Sequence, residues 1–441
     1  MFLIKTSYNL IILSILSSIL FFGLSNHTFG QSQEKPTKAE IRKTAEGYQI
    51  FLDGEPFYVK GAGLERGNIK ALAEHGANSL RTWSTDDGMR DGMETLNEAH
   101  EVGLKVNMGL WVVPERHGFD YSDEAAVAAQ LESMRKKVMW LKDHPALIIW
   151  GIGNELNLES TNPKVWDAVN EISKMIHDID PNHLTTTALA GLSKREVQMV
   201  QQRAPDLDFI SVQLYREIET LPEQIIYASY DGPLMVTEWG ATGYWEVRKT
   251  AWGAPLENNS SVKADLYRKR YQKAILTQKE QVMGSYVFLW GQKQERTPTW
   301  FGMFLPDGTE TESVDAMHYE WNGEWPKNRT PRLENFTLEG KKDRDNVRLA
   351  AGFKYNAEVI VSDPDGDELT YVWEIKEESN ARSTGGDRES IPKTIPKRFE
   401  KNPGSTARFR APNEEGAYRL FIYVYDGNNH AAHANIPFLV E

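Results

Sequence analysis

Short apolar runs alternate with helix-like stretches from about Gln49 to Trp325. The runs lack the polar alternation of a strand that faces water, so each predicts a strand buried on both faces. Amphipathic segments at 125–141, 164–179 and 261–279 lie between them, and the last two follow Asn162-Pro163 and Asn258-Asn259, which favour a helix start. The eight apolar runs are 57–64, 79–84, 105–112, 147–155, 184–191, 207–215, 234–241 and 283–291.

Eight strands, each followed by a helix, predict an α/β fold of the closed (β/α)8, or TIM-barrel, type. An open doubly wound sheet is the alternative. It is disfavoured because no glycine-rich phosphate loop follows any run: in GIGNE, Leu156 stands where the third glycine of GxGxxG would be.

The composition changes after Trp325, where Pro326, Asn328 and Pro331 indicate a linker. The later segments alternate like strands, and they predict a small C-terminal immunoglobulin-like β-sandwich. Residues 377–403 are polar and are predicted to form a loop. The predicted domains are a signal peptide at 1–30, a catalytic barrel at 40–325 and the sandwich at 331–441. The predicted sandwich strands are 357–362, 369–375, 407–411, 418–425 and 433–440.

The first thirty residues have the pattern of an export signal. Lys5 precedes an apolar, serine-interrupted stretch at 10–24, and Thr28 and Gly30 suit a cleavage site. A retained anchor is the alternative, although the apolar part is short for a membrane span. We therefore expect a secreted or periplasmic protein without stable membrane insertion after signal cleavage. The chain has no cysteine, which excludes disulfides and thiolate chemistry.

Two glutamates stand where apolar strands are predicted to end. Glu155 follows LIIWGIGN, and Glu238 lies in LMVTEWG. In isolation, an Asn-Glu pair is more typical of a helix cap. The carboxyl ends of barrel strands form the active face, however, so the glutamates of strands four and seven should meet at one mouth. Two opposed carboxyl groups are what glycosidic bond cleavage needs, and their separation decides between retention and inversion.

Other polar and aromatic side chains at the strand ends are candidates for substrate binding. Aromatic residues make up 11% of the chain, including 13 tryptophans, which suits sugar rings, whereas a net charge of -13 argues against nucleic acid. We expect a neutral carbohydrate, no cofactor and no catalytic metal; the turn from Asp363 to Asp367 fits either a plain turn or a calcium site. The candidate binding residues are Arg81, Trp83, Trp111, Asn154, Gln213, Tyr215 and Trp290.

Over residues 40–325 the chain resembles the retaining glycoside hydrolases of clan A, and most of all the family 2 catalytic barrel. The motifs that carry this resemblance are GYQIFLDGEPFYVKGAG, SLRTW, HPALIIWGIGNE and VTEWG. The resemblance implies that Glu155 is the acid/base and Glu238 the nucleophile. It further implies that Asn154 binds the sugar 2-hydroxyl, that Arg81 and Tyr215 keep Glu238 ionised, and that the substrate is β-linked.

The sequence thus predicts a secreted retaining hydrolase of neutral β-linked poly- or oligosaccharides. A β-glucanosyltransferase with the same residues and a non-catalytic glycan-binding barrel are the alternatives. Because every candidate catalytic residue precedes Trp325, the sandwich is expected to be dispensable for chemistry.

Overall fold

The computed structural model describes residues 35–401 and 403–441, so the predicted signal peptide lies outside the described residues. The described part begins with an antiparallel sheet of β1 (Ala39–Thr44), β2 (Gly47–Leu52) and β3 (Glu55–Phe57). Ile50 and Leu52 of this sheet pack against residues at the amino-terminal ends of barrel strands, such as Phe209. The sheet therefore covers the end of the barrel opposite the strand carboxyl termini.

Eight parallel strands close into a barrel, which confirms the predicted fold class. Each predicted apolar run overlaps one barrel strand, with ends that agree to within three residues. The strands pair around the ring in the order β4 to β11 before β11 returns to β4. The strands are β4 (Val59–Leu64), β5 (Ser79–Arg81), β6 (Lys105–Leu110), β7 (Leu147–Asn154), β8 (Leu184–Ala190), β9 (Phe209–Gln213), β10 (Leu234–Gly240) and β11 (Val282–Trp290).

One α-helix follows each barrel strand, and side-chain caps fix several of the helix starts. Asp91 and Glu94 form a capping box at α2, and Asn259 accepts from the Val262 backbone N–H at α7, as the sequence predicted. Among the described residues, no helix has the length and apolar character to cross a bilayer. The helices are α1 (Ile69–Glu74), α2 (Gly92–Glu101), α3 (Glu124–Leu141), α4 (Lys164–Ile179), α5 (Lys194–Arg203), α6 (Leu221–Ala228), α7 (Ser260–Arg270) and α8 (Glu312–Asn322).

The C-terminal strands form two facing sheets around a separate apolar core, which confirms the predicted sandwich. One sheet has the order β12-β14-β16 and the other β13-β18-β17-β15. The immunoglobulin-like class and the domain boundaries stay predictions, and β12 and β13 were not predicted. The strands are β12 (Arg332–Leu338), β13 (Val347–Leu349), β14 (Lys354–Ser362), β15 (Thr370–Glu377), β16 (Thr406–Arg410), β17 (Gly416–Tyr425) and β18 (Ala431–Val440).

The turn from Asp363 to Asp367 lies at an edge of the sandwich. Asp363 Oδ1 accepts from the backbone N–H groups of Asp365, Gly366 and Asp367, which is the hydrogen bonding of a tight turn. Folding adds Asp426, so that oxygens of Asp363, Asp367 and Asp426 lie within 4.8 Å of one another. The geometry is that of a tight turn with three carboxylates clustered beside it.

Buried charges join the barrel to the sandwich. Glu257 accepts from Lys263 Nζ at 2.5 Å, from Thr297 Oγ1 at 2.6 Å and from Asn435 Nδ2 of β18 at 2.6 Å. Burial alone would raise the pKa of Glu257, but the charges of Lys263 and His433 and the hydrogen bonds from Lys263 and Thr297 lower it to about 2. The sandwich therefore supplies one of the hydrogen bonds to a buried carboxylate that lies between α7 and the loop after β11.

Arg419 of β17 should be a main determinant of stability. It is 1% exposed and donates to both carboxylate oxygens of Glu378, to Asn435 Oδ1 and to the Pro255 carbonyl. Arg419→Ala would leave a buried carboxylate without its cation, so we expect the free energy of unfolding to fall by about 3–5 kcal/mol. Denaturant unfolding followed by circular dichroism measures the loss.

Arg408→Ala is the matched control, because its side chain is 56% exposed and its carboxylate partner Glu400 is 3.9 Å away. It should change the free energy of unfolding by less than about 1 kcal/mol. Equal effects of the two substitutions would contradict the structural role of Arg419.

Candidate active site

Glu238 lies at the carboxyl end of β10 and receives three hydrogen bonds. Arg81 Nη1 donates to Oε1 at 2.8 Å, Trp83 Nε1 donates to the same oxygen at 2.7 Å, and Tyr215 OH donates to Oε2 at 3.0 Å. The Glu238 side chain is almost buried, with 5% exposed. Donors that hold both oxygens fix this carboxylate in one orientation at the barrel mouth.

Arg81 connects this carboxylate to Asn154, the last residue of β7. Its Nη2 donates to Asn154 Oδ1 at 2.6 Å, and Gln213 Nε2 donates to the same oxygen at 2.6 Å. Because both donors need the carbonyl oxygen, the side-chain orientation of Asn154 is determined, and its amide nitrogen lies on the side away from them.

Glu155 follows Asn154 with a backbone φ of 48°, in the left-handed region that a glutamate rarely adopts. Its N–H donates to the Ala188 carbonyl at 2.9 Å, and its own carbonyl accepts from Arg116 Nη1 at 3.2 Å. Burial, and then the charge of Glu238, raise the pKa of the Glu155 carboxyl to about 8. The charge of Glu238 thus favours the protonated form of Glu155.

A third carboxyl group, Glu295, was missed by the sequence analysis. It lies on the loop after β11, is 3% exposed, and has Lys293 Nζ at 3.5 Å. Burial raises its pKa, and its charge contributes to the raised pKa of Glu155. The polar sequence QKQER contains no apolar run before Glu295, so strand-end reasoning had no signal for it.

Aromatic rings lie on two sides of the mouth. Trp245 is 54% exposed and meets Tyr215 edge to face, with ring centroids 5.3 Å apart. Trp111 is half-buried on the other side and stacks on His117 with ring centroids 6.1 Å apart. Exposed ring faces beside a carboxylate pair are suitable contacts for a sugar.

Trp290 does not join the other predicted binding residues. Its side chain is fully buried, its Nε1 donates to the Asn68 carbonyl at 3.0 Å, and its ring packs on Phe304 and Trp321. The structure thus places it in the core between barrel and helix α8. The structure does bring Arg81, Trp83, Asn154, Gln213 and Tyr215 together around Glu238.

Comparison with known proteins relates the barrel to a described family. Residues 67–252 match the family described as glycosyl hydrolases family 2, TIM barrel domain. Residues 67–252 thus resemble the catalytic barrel of glycoside hydrolase family 2. This confirms the resemblance on which the assignment of Glu155 and Glu238 was based, while the roles of the individual residues stay predictions.

Solved structures with a similar fold include β-glucuronidases. A Faecalibacterium prausnitzii β-glucuronidase is 17% identical over 65% of this chain and 52% of its own, with a TM-score of 0.51. Bacteroides uniformis β-glucuronidase 2, covalently bound to cyclophellitol-6-carboxylate aziridine, is 14% identical over 91% of this chain and 48% of its own, with the same TM-score of 0.51. The chain spans about half the length of these proteins. At such identities the likeness shows the fold alone.

The pKa of Glu155 predicts the alkaline limb of the activity profile. A general acid must carry its proton, so kcat/KM should fall as pH rises through about 8. The fall should be steep for aryl glycosides with poor leaving groups, which need protonation, and shallow for dinitrophenyl glycosides. Measurements of kcat/KM from pH 5 to pH 10 give the decrease for each class of substrate. An equally steep decrease for the two leaving groups would contradict Glu155 as the acid.

Proposed function

We propose that the protein is a retaining β-glycoside hydrolase with Glu238 as nucleophile and Glu155 as acid/base. The observation that carries this proposal is the contrast between the two carboxyl groups. Glu238 is held by a guanidinium, an indole and a phenol, whereas burial and the Glu238 charge favour the protonated form of Glu155. One anionic and one protonated carboxyl group are the requirement for double displacement.

In the first step, Glu238 attacks the anomeric carbon while Glu155 gives its proton to the departing oxygen. The glycosyl group is then covalently bound to Glu238, and the Glu155 carboxylate is free to act as a base. In the second step it takes a proton from water, which attacks the same carbon and releases the sugar with retained configuration. Asn154, whose carbonyl oxygen is occupied by Arg81 and Gln213, presents its amide group to the sugar 2-hydroxyl.

The basic groups near the mouth favour a neutral substrate. Lys293 is paired with Glu295, and Arg296 with Glu389, while Arg116 donates to a backbone carbonyl. Because these positive charges already have partners in the chain, a sugar carboxylate would have to compete for them. An aryl β-glucuronide assayed beside neutral aryl β-glycosides tests this assignment, and exclusive cleavage of the glucuronide would overturn it.

We also propose that the protein acts outside the cytoplasm, as a secreted or periplasmic enzyme. The support is the sequence of the first thirty residues, with Lys5, the apolar stretch 10–24 and the small residues Thr28 and Gly30. Export would deliver the enzyme to extracellular or periplasmic glycans.

Two alanine variants and azide test the division of roles. Glu238→Ala should be inactive on every substrate, and azide should yield only a product of inverted configuration, because the anion fills the position of the lost carboxylate. Glu155→Ala should lose about 10²–10⁴-fold on poor leaving groups but still form the covalent intermediate from activated ones. Azide should then give a product of retained configuration, which proton NMR of the anomeric signal identifies.

Glu217→Ala is the control, because it removes an exposed carboxylate two residues beyond Tyr215. It should behave like the wild type. Exchanged azide products would reverse the roles of Glu155 and Glu238, and wild-type activity in both alanine variants would refute the paired-carboxylate mechanism.

A further inference from the structure

The polar connection between β15 and β16 of the sandwich reaches the mouth of the barrel. We call residues 378–389 of this connection the strap. On one side of the mouth, the Ser383 carbonyl accepts from Tyr244 OH at 3.3 Å and from Arg296 Nη2 at 3.2 Å. Lys293 Nζ donates to the Gly386 carbonyl beside them. These contacts join the strap to the loops that follow β10 and β11.

The same strap also contacts the opposite side of the mouth. Asp387 Oδ1 lies 3.1 Å from His117 Nε2, which is a hydrogen-bond distance. At Gly385, a Cβ atom would come within 2.9 Å of Leu158 Cδ2 and 3.1 Å of Arg116 Nη2, so the backbone approaches these side chains closely. These partners belong to the loops that follow β6 and β7.

The order of strands around the barrel shows that the two sets of contacted loops lie on opposite sides of the mouth. Strands β6 and β7 lie opposite β10 and β11 in the closed barrel. Glu155 follows β7 and Glu238 lies on β10, so both glutamates belong to the two sides that the strap joins. A segment that contacts both sides must cross over the mouth between them.

Buried ion pairs fix the strap at both ends. At its start, Glu378 is held by Arg419. At its end, the Glu389 side chain has no exposed surface, lies 3.3 Å from Arg296 Nη1 and accepts from the Arg296 backbone N–H at 2.6 Å and from Ser383 Oγ at 2.5 Å. Such anchoring makes the strap a fixed part of the mouth and separates it from ordinary surface loops.

We propose that the strap is the specificity element that restricts this enzyme to chain ends and short glycosides. Cleavage inside a polymer needs a groove open on both sides of the scissile bond, and a segment that crosses the mouth blocks one of these directions. The inference rests on the proposed glycosidase function. It also speaks against the expectation that the sandwich is dispensable for chemistry, since the sandwich supplies a wall of the site.

Aryl β-glycosides first show which sugar the wild type cleaves. Oligosaccharides of two to six units of that sugar, labelled at the reducing end, are then digested and the lengths of their products are compared. The wild type should shorten them one sugar at a time, or cleave only the shortest. A variant with residues 381–387 replaced by a Gly-Ser linker should cleave internal bonds, with kcat/KM on the hexasaccharide relative to the disaccharide rising roughly tenfold.

Two point variants keep the test decisive if the linker variant does not fold. Glu389→Gln weakens the buried anchor and should shift the product pattern in the same direction. Glu400→Gln, in the same connection but paired with Lys354 of the sandwich at 3.0 Å, should leave it unchanged. Internal cleavage by the wild type, or a product pattern that stays unchanged in every folded strap variant, would overturn the proposal.

Cross-linking tests the position of the strap without activity. The chain has no cysteine, so the double variant His117→Cys and Asp387→Cys offers only two thiols to a short bismaleimide. Mass spectrometry should find an intramolecular link there and none when Glu400→Cys replaces Asp387→Cys. Absence of the link in the first pair would overturn the strap's position. If the cysteine double variant forms this link but the wild type cleaves no aryl β-glycoside, the strap's position stands and the proposed function is overturned instead.

Discussion

The ion pair between Arg81 and Glu238 is the interaction on which the site depends. Arg81 is 4% exposed, so its charge must be matched by acceptors within the barrel. Those acceptors are Glu238, the Thr237 carbonyl and Asn154 Oδ1, which come from strands on different parts of the ring. Closing the barrel therefore satisfies the buried cation and orients the carboxylate in the same step.

The features that could be predicted from the sequence are those that a short continuous segment specifies by itself. Strands such as β7 and β10 are continuous apolar runs, and a glutamate directly after or within such a run can be placed at the mouth from sequence alone. The same reasoning placed Trp290 there, but its side chain packs outward against Trp321. Successive residues of a strand point to opposite faces, so the end of a strand does not determine which face a side chain takes.

The unpredicted part consists of contacts between distant segments. Arg296 and Glu389 are separated by 93 residues, and neither belongs to a periodic pattern. Glu257 likewise acquires Asn435 as a partner only when the sandwich packs on the barrel. A polar loop sequence shows that a segment is exposed to solvent or to other polar groups, but it contains no information about which surface the segment covers. The positions of the strap and of Glu295 at the barrel mouth therefore follow only from the three-dimensional structure.

The central claim is that Glu238, held by its three donors, forms the covalent bond to the sugar. An activated 2-deoxy-2-fluoro β-glycoside slows both steps and lets the intermediate accumulate, and peptide mapping by mass spectrometry then locates the label. The account predicts one fluoroglycosyl group per chain, on the peptide that carries Glu238 and absent from Glu238→Gln. A label on the peptide that carries Glu155, or turnover of the parent glycoside with inverted configuration, would contradict it.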